Sequence, residues 1–365
     1  MSPAQFGSVV PGVLPSATRR NLVSLAVAGC LAGLQKTVGA APQASAKLTD
    51  VLDKPASTAR LTAASPMLRV ARCAKRLVAV GERGVIVYSD DDGARWQQAK
   101  VPVSVTLTGV QFTSEKRGFV IGHSGVVLRT DDAGLTWRRM LDGRQYAALL
   151  SQPEAVRQAE LEGPDKPWLS LHFTDDQNGW VVGAFGMALQ TADGGQTWRS
   201  VAERLPNPRV LHLNAVQRQG QNVWIAGEQG LYLVSTDGGR SFSAPSTGYR
   251  GSFFAVCPLA DGGVVLGGLR GMLLLHDQTG QFRVLSAAST QGVIGLLRLP
   301  SNALALLDQS GRLFIASVAD LNFKPVAVLP ERVWLAVAPT SDGHFVGTSS
   351  DGVSRLQLTL PLSKT

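Results

Sequence analysis

The sequence predicts an all-β protein, a seven-bladed β-propeller of four-stranded blades with one short helical insert. Two repeated patterns carry this prediction. An octet of the form S/T-x-D-x-G-x-x-W/F occurs at Ser89–Trp96, Thr130–Trp137, Thr191–Trp198 and Ser235–Phe242. A tight glycine turn precedes each octet and continues beyond the last one, with closing glycines at positions 84, 125, 186, 230, 271, 311 and 352. Most of these steps are 40 to 44 residues, the length of one propeller blade.

The internal order of a repeat predicts four strands. An apolar strand such as Leu107–Thr113 is followed by a second, Gly118–Gly122, which runs into the glycine turn. A third strand, Val126–Thr130, leads into the octet, and a fourth starts at the Trp. These segments are short and rich in β-branched and aromatic residues, with turn residues between them.

One step, from Gly125 to Gly186, is 61 residues long and therefore contains an insert, residues 140–167. Ser151–Glu154 predicts a capping box with an early proline, and Glu154–Glu162 predicts a short helix. Two interpretations remain open: a solvated loop decoration, or a partner-recognition element at the ring mouth.

The octet resembles the Asp-box, or BNR repeat, a β-hairpin between the third and fourth strands of a blade. The resemblance implies that the Asp accepts backbone N–H bonds, the Gly adopts positive φ, and the aromatic residue packs under the hairpin. We therefore expect structural roles for the recurring residues, and no catalytic or metal-binding role. They are Asp91, Trp96, Asp132, Trp137, Asp193, Trp198, Asp237 and Phe242.

The first 46 residues predict an export signal and leader, and residues 47–365 a single propeller domain. The leader contains Arg19 and Arg20, an apolar stretch at Leu22–Leu34, and small residues ending at Ala46. The arginine pair resembles a twin-arginine signal, and the residues before Cys30 resemble a lipobox. We expect an exported, periplasmic protein; the alternatives are a lipid anchor through Cys30, a retained N-terminal anchor or no export.

Composition argues against several classes of ligand. The formal net charge of +8 falls to +5 without the three basic leader residues, and no basic run is interleaved with aromatics. We therefore expect no nucleic-acid binding. The five histidines show no metal-ligand spacing, and no cofactor motif is present, so we expect neither metal nor cofactor. Cys73 and Cys257 fall in non-neighbouring units, which predicts two buried thiols and no disulfide.

The last unit is short, which predicts that the N-terminal segment completes the ring. We expect Val51–Leu61 to supply the outer strand of the last blade.

Blade topology places the glycine turns and the insert on one face and the octets on the other. Arg83, His123 and Arg270 lie in these turns, and Arg312 follows another. They are the candidate site, a basic patch for an acidic peptide or a C-terminus. The alternative is that they are ordinary solvated turn residues.

Enzymatic interpretations find little support. Sialidases also carry Asp-boxes, but they need an arginine triad and a Tyr–Glu pair, and this chain has only four tyrosines. A paired-Asp hydrolase has one obvious candidate pair, Asp175 and Asp176. A glycan-binding surface needs exposed aromatics, and Trp168 is the tryptophan left for that purpose.

The octets, the glycine turns and strands such as Asn178–Gly183 together resemble the photosystem II stability/assembly factor family, over roughly residues 60–358. Octets are missing from units five to seven, where His276–Gly280 is a remnant. Members are seven-bladed propellers that, in phototrophs, lie in the thylakoid lumen and bind newly made reaction-centre protein. The resemblance implies a non-enzymatic, exported assembly or scaffold factor, and we expect the protein to be a monomer. Its client is a membrane protein, a photosystem II core subunit if the organism is phototrophic.

In that family an arginine patch lies on the propeller, and Arg83, Arg270 and Arg312 are the residues that we match to it. The competing interpretation is a glycan-binding or sialidase-like BNR propeller.

Overall fold

Seven small antiparallel sheets form a ring, so the predicted seven-bladed β-propeller is confirmed. The computed structural model describes residues 50–58, 62–286, 288–299, 302–326, 328–329 and 332–358, all within one compact unit, Leu48–Thr365. The predicted leader lies outside the described residues. Inner strands of successive blades contact one another, and the inner strand of blade one contacts that of blade seven.

In blades one to four, the strands run from the channel outwards in chain order. Blade one contains β1 (Met67–Cys73), β2 (Arg76–Gly81), β3 (Ile86–Ser89) and β4 (Gln97–Gln98). Blade two contains β5 (Leu107–Phe112), β6 (Gly118–Gly122), β7 (Val127–Thr130) and β8 (Arg138–Leu141). Blade three contains β9 (Trp168–Phe173), β10 (Gly179–Gly183), β11 (Ala188–Thr191) and β12 (Arg199–Ser200). Blade four contains β13 (Leu213–Gln219), β14 (Asn222–Gly227) and β15 (Tyr232–Ser235).

Blades five and six follow the same order, and blade seven differs in its outer strand. Blade five contains β16 (Phe253–Pro258), β17 (Val264–Gly268), β18 (Leu273–His276) and β19 (Phe282–Val284). Blade six contains β20 (Val293–Leu299), β21 (Ala303–Asp308), β22 (Leu313–Ser317) and β23 (Lys324–Pro325). Blade seven contains β24 (Val328–Leu329) on the outside, with β25 (Ala336–Pro339), β26 (Phe345–Ser349) and β27 (Gly352–Leu358).

The core is divided among the blade interfaces. Each pair of neighbouring blades shares an apolar cluster; between blades one and two, for example, Val80 and Ile86 pack with Val120. Burying a large aliphatic side chain contributes about 1.5–3 kcal/mol, so these clusters are the main source of stability. The cluster that joins Leu77 to Val346 lies between blades one and seven and closes the ring.

Blade four lacks a regular fourth strand because of a proline. In blades one, three and five, a backbone N–H of the outer segment donates to the third strand at 2.9–3.0 Å, as Ala99 does to Ile86. The equivalent residue after the bridge between Val234 and Ser243 is Pro245, which has no N–H to donate. Among the described residues, that isolated bridge is therefore the one backbone pairing between β15 and the outer segment of blade four.

The prediction that Val51–Leu61 completes the last blade is wrong. The outer strand of blade seven is β24, which pairs with β27 and precedes it in the chain. Residues 50–58 instead lie beside blades one and two, where Leu52 is buried and Ser104 N–H donates to the Val51 carbonyl at 2.8 Å. Burial of Leu52 in that interface explains the placement. Residues 59–61 lie outside the described residues.

The insert contains the predicted helix, α1 (Pro153–Glu162), with Pro153 in its first turn. The predicted capping box is wrong, because Gln152 occupies the N-cap position and makes no side-chain cap. The Ser151 hydroxyl donates instead to Glu203, which joins the insert to the end of blade three. A capping box does occur at Asp142 and Gln145, in the short turn before α1. No helix among the described residues is long and apolar enough to cross a membrane.

Candidate functional site

The turns of the blades separate onto two faces. The glycine turns lie against the connections between blades: Gly84 N–H donates to the Val105 carbonyl at 2.7 Å, and Gly230 N–H to the Gly251 carbonyl at 2.6 Å. We call this side the glycine-turn face. The octets lie with the turns between first and second strands, as Gly238 N–H to the Gln221 carbonyl at 2.8 Å shows. We call that side the Asp-box face.

In each Asp-box hairpin, the carboxylate is engaged in a local hydrogen-bond ring. In the second octet the Thr130 hydroxyl donates to Asp132 at 2.8 Å and accepts the Gly134 N–H at 2.9 Å. Asp132 also accepts the Thr136 N–H at 2.9 Å. The same contacts recur in the other three octets, whose Asp residues are Asp91, Asp193 and Asp237.

These hydrogen bonds also fix the ionisation of the carboxylates. Bonds from the Ser241 hydroxyl and backbone hold the pKa of Asp237 well below its usual range. A carboxyl group that stays ionised and is already fully bonded is a poor proton donor. The aromatic residues close the hairpins: Trp137 is 4% exposed, and its Nε1 donates to the Gly134 carbonyl at 3.1 Å. Trp96 makes the same bond to Gly93, Trp198 is buried, and Phe242 packs on Trp180.

Arg83 and Arg270 occupy the tips of their glycine turns. Both have positive φ, +54° and +56°, and both are exposed. No ion pair to a carboxylate is found for either one within the described part of the chain. Burial raises the pKa of Tyr249, and the neighbouring Arg270 opposes this effect. The two guanidinium groups are therefore available to an external anion.

His123 and Arg312 differ from these two arginines. His123 is exposed in its turn, and its backbone N–H donates to the Thr106 carbonyl. Arg312 is bound by its own blade, because its guanidinium lies 3.1 Å from the buried carboxylate of Asp308 and also donates to Ser289. Its charge is thus largely matched within the ring. Across the described residues, no hydrogen bond or ion pair joins any two of the four predicted site residues.

The structure adds two arginines that the sequence analysis missed. Arg209 and Arg250 lie on the glycine-turn face in the connections on either side of blade four, and both are exposed. They line a groove of about 380 Å³ together with Gln229, Tyr249 and the segment 244–248. Arg209 donates to Gln229 at 2.5 Å, and among the described residues neither arginine is paired with a carboxylate. Blade topology could have indicated Arg209 and Arg250, because the connections between blades lie on the same face as the glycine turns.

Residues proposed for the competing functions are occupied elsewhere. Trp168, expected to be free, is fully buried, and its Nε1 donates to the Gly125 carbonyl at 2.8 Å. Asp175 accepts the N–H groups of Gln177 and Asn178 within its own turn. Asp176 accepts the Ser114 hydroxyl of the neighbouring blade at 3.2 Å. In the described ranges, no three His, Cys, Asp or Glu side chains form a group suited to a metal ion.

The fold and its hairpins define an Asp-box β-propeller, and comparison with known families narrows the class. The family model described as photosynthesis system II assembly factor YCF48 matches residues 69–131, 88–152 and 151–247, which span blades one to four. This match over blades one to four confirms the family resemblance that the sequence indicated. No curated protein matches the chain.

Solved structures show the same fold at low sequence identity. A structure described as YCF48 bound to D1 peptide has 14% identity and a TM-score of 0.60, covering 82% of this chain and 94% of that one. YCF48 from Cyanidioschyzon merolae has 16% identity and a TM-score of 0.58, covering 84% and 98%. The WD40 propeller domain of Doa1 has 15% identity and a TM-score of 0.61, covering 86% and 97%. At these identities the likeness concerns the fold alone.

Proposed function

We propose that this protein is a non-enzymatic assembly or stability factor that holds a membrane-protein client by its glycine-turn face. The observation that carries the proposal is the set of exposed arginines on that face without carboxylate partners among the described residues: Arg83, Arg209, Arg250 and Arg270. Guanidinium groups bind carboxylates with charge-assisted, often bidentate hydrogen bonds. The client segment is therefore an acidic peptide or a free C-terminus.

The match of blades one to four to this family model supports this choice of client. A family relative has been solved with a D1 peptide bound. We propose that a reaction-centre subunit of this type is the client if the organism carries photosystem II, and another integral membrane protein otherwise. The Asp-box carboxylates and the Asp175–Asp176 pair are engaged in turns, which supports a role without catalysis.

The decisive experiment compares two charge-reversal variants of the full chain with a C-terminal affinity tag. The first carries Arg209→Glu, Arg250→Glu and Arg270→Glu on the glycine-turn face. The control carries Arg199→Glu, Arg240→Glu and Arg283→Glu, three exposed arginines on outer strands and an octet. Each tagged protein is used to capture partners from gently solubilised membranes, and the captured proteins are identified by mass spectrometry.

We expect the wild-type chain and the control to enrich the same integral membrane protein, and the first variant to lose it by at least tenfold. A tenfold loss corresponds to about 1.4 kcal/mol of binding free energy. A close charge pair across an interface contributes about 1.5–7 kcal/mol, so the loss of one such pair is enough to produce it. Equal capture by both variants would contradict the assignment of the face. Recovery of the bait alone would favour the glycan alternative, for which a glycan array is the next measurement.

We further propose that the protein acts after export. The support is the sequence of residues 1–46 alone. N-terminal sequencing of the mature chain from a periplasmic fraction tests it, and a start near Lys47 is the expected result. Cys30→Ala distinguishes a cleaved export signal from a lipid anchor through Cys30. If the wild-type chain is found in membranes and this substitution releases it, the chain carries the lipid anchor.

A further inference from the structure

A second cavity lies at the mouth of the central channel, on the Asp-box face. It has a volume of about 300 Å³ and is lined by the ends of three inner strands, at Gln217–Gln219, Val256–Pro258 and Leu296–Arg298. These residues belong to β13, β16 and β20, just before the turns that share a face with the octets. The cavity is thus on the opposite side of the ring from the proposed client surface.

The walls of this channel-mouth cavity are mainly apolar. Val256, Pro258, Leu296 and Leu297 contribute hydrocarbon surface. The Cys257 side chain lies between them and is 5% exposed. Burial raises the pKa of its thiol to about 11, while nearby Arg298 opposes the shift, so the sulfur is a neutral and weakly polar part of the wall.

Two arginines supply the charge at this cavity. Arg298 of blade six lies near Cys257 of blade five, and Arg218 comes from blade four, where it also lies near His172 of blade three. Arg218 donates from Nε to the Gly220 carbonyl at 2.9 Å, which orients its guanidinium. Arg298 is exposed, and within the described chain no carboxylate forms an ion pair with either arginine. An apolar pocket with a few polar groups at its edge is the usual form of a small-molecule site.

We propose that the channel-mouth cavity binds a small organic carboxylate with an apolar tail. Arg298 binds the carboxylate, Arg218 adds positive charge at the edge of the cavity, and Val256, Leu296 and Leu297 pack against the tail. At roughly 30 Å³ for each non-hydrogen atom, by analogy with liquid water, the cavity accommodates an acid of about ten such atoms. The site lies away from the client surface, so it does not depend on the proposed function.

The test is calorimetric titration of the full chain with sodium octanoate, kept below its micellar concentration. Acetate, which has the charge without the tail, and 1-octanol, which has the tail without the charge, are the matched probes. We expect octanoate to bind with a stoichiometry of one, at least tenfold more tightly than either probe. Arg298→Gln should weaken octanoate binding at least tenfold, and the control Arg209→Gln, on the other face, should leave it unchanged.

A second measurement locates the bound acid. Slow alkylation of Cys257 by a small maleimide, at an alkaline pH where part of this thiol is ionised, is followed by mass spectrometry of the peptide that contains it. Octanoate should slow this alkylation in the wild-type chain but not in Arg298→Gln, whose folding is checked by its thermal unfolding curve. Absence of saturable octanoate binding, equal binding by Arg298→Gln, or unchanged Cys257 alkylation would each overturn the proposal.

Discussion

The octets show how a single hydroxyl organises a hairpin. The pattern singles out the Asp, but the Ser or Thr at the first position is equally engaged, because it donates to the carboxylate and accepts the glycine N–H. This pairing is local, within four residues, and it is therefore visible in the sequence. The Asp-box residues are accordingly the part of the molecule whose contacts follow most directly from the order of amino acids.

Asp132→Ala should destabilise the protein. The substitution removes the acceptor for the Thr136 N–H and for the hydroxyls of Thr130 and Thr136. Removing such a charged acceptor costs about 1–3 kcal/mol, and urea unfolding would measure the change. The control is Asp165→Ala, since Asp165 is exposed and no hydrogen bond to its side chain is found in the described structure. An equal effect of the two substitutions would contradict the structural role of the Asp-box carboxylate.

His172 should make the protein less stable in mild acid. Burial lowers the pKa of His172 to about 4, whereas an unfolded histidine has a pKa near 6.5. The contribution of this neutral imidazole is complete above the unfolded pKa and is lost as the pH falls from about 6.5 to about 4. At 1.36 kcal/mol for each pKa unit, the loss is at most about 3 kcal/mol.

Urea unfolding of His172→Gln over that pH range measures this contribution. The variant should show a flatter loss of stability than the wild-type chain. His123→Gln, at an exposed position, is the matched control and should follow the wild-type profile. A His172→Gln profile parallel to that of the wild-type chain would show that this imidazole does not titrate on unfolding.

At the scale of the blade, the closing glycine Gly230 is required for two separate reasons. Gly230 has φ +78°, and a Cβ there would lie 1.9 Å from the Tyr249 carbonyl oxygen of the next connection. Gly220 has φ +60°, but no atom lies within 4 Å of the position of its Cβ. Substitutions at these two glycines therefore distinguish the cost of backbone strain from the cost of steric overlap.

Gly230→Ala should be much more costly than Gly220→Ala. Positive φ alone costs about 1–2 kcal/mol for a residue with a Cβ, which is the expected loss at Gly220. At Gly230 the connection must also move, so we expect a loss at least about 2 kcal/mol larger, of the size seen for overpacking. Urea unfolding of both variants gives the comparison, and similar losses would show that the connection yields easily.

At the scale of the whole molecule, the N-terminal segment, residues 50–58, stabilises the interface between blades one and two. Leu52 is 2% exposed between blades one and two, and Asp53 is paired with Arg139 of β8 and with Arg144 of the insert. Hydrogen bonds from these two arginines lower the pKa of Asp53 to about 2, with Arg144 making the larger contribution. Residues 50–58 thus act as a strap across one interface.

Leu52→Ala should weaken this strap. Truncating a buried leucine typically costs about 2–5 kcal/mol, through lost burial and a residual cavity. The neighbouring Val51 is 47% exposed, and Val51→Ala should change stability by no more than about 0.5 kcal/mol. Thermal unfolding of the two variants tests the pair. Equal melting temperatures would mean that the segment contributes little to the folded ring.

The sequence by itself determined the number of blades, the order of strands and the position of the Asp-box hairpins. Those features depend on a period near 41 residues and on hydrogen bonds between residues less than ten positions apart. The helical insert and the two faces followed from the same repeat. The sequence also identified exposed Arg83 and Arg270, because their turns belong to the repeat.

Only the tertiary structure decided which groups are free and how the ring closes. Arg312 is matched by Asp308 and Ser289, Trp168 is buried against the Gly125 carbonyl, and the outer strand of blade seven is β24. Arg209 and Arg250 were missed because they lie in irregular connections outside the repeat pattern. Each of these outcomes depends on packing or a charge partner that the repeat does not encode, and such contacts form only when neighbouring blades assemble.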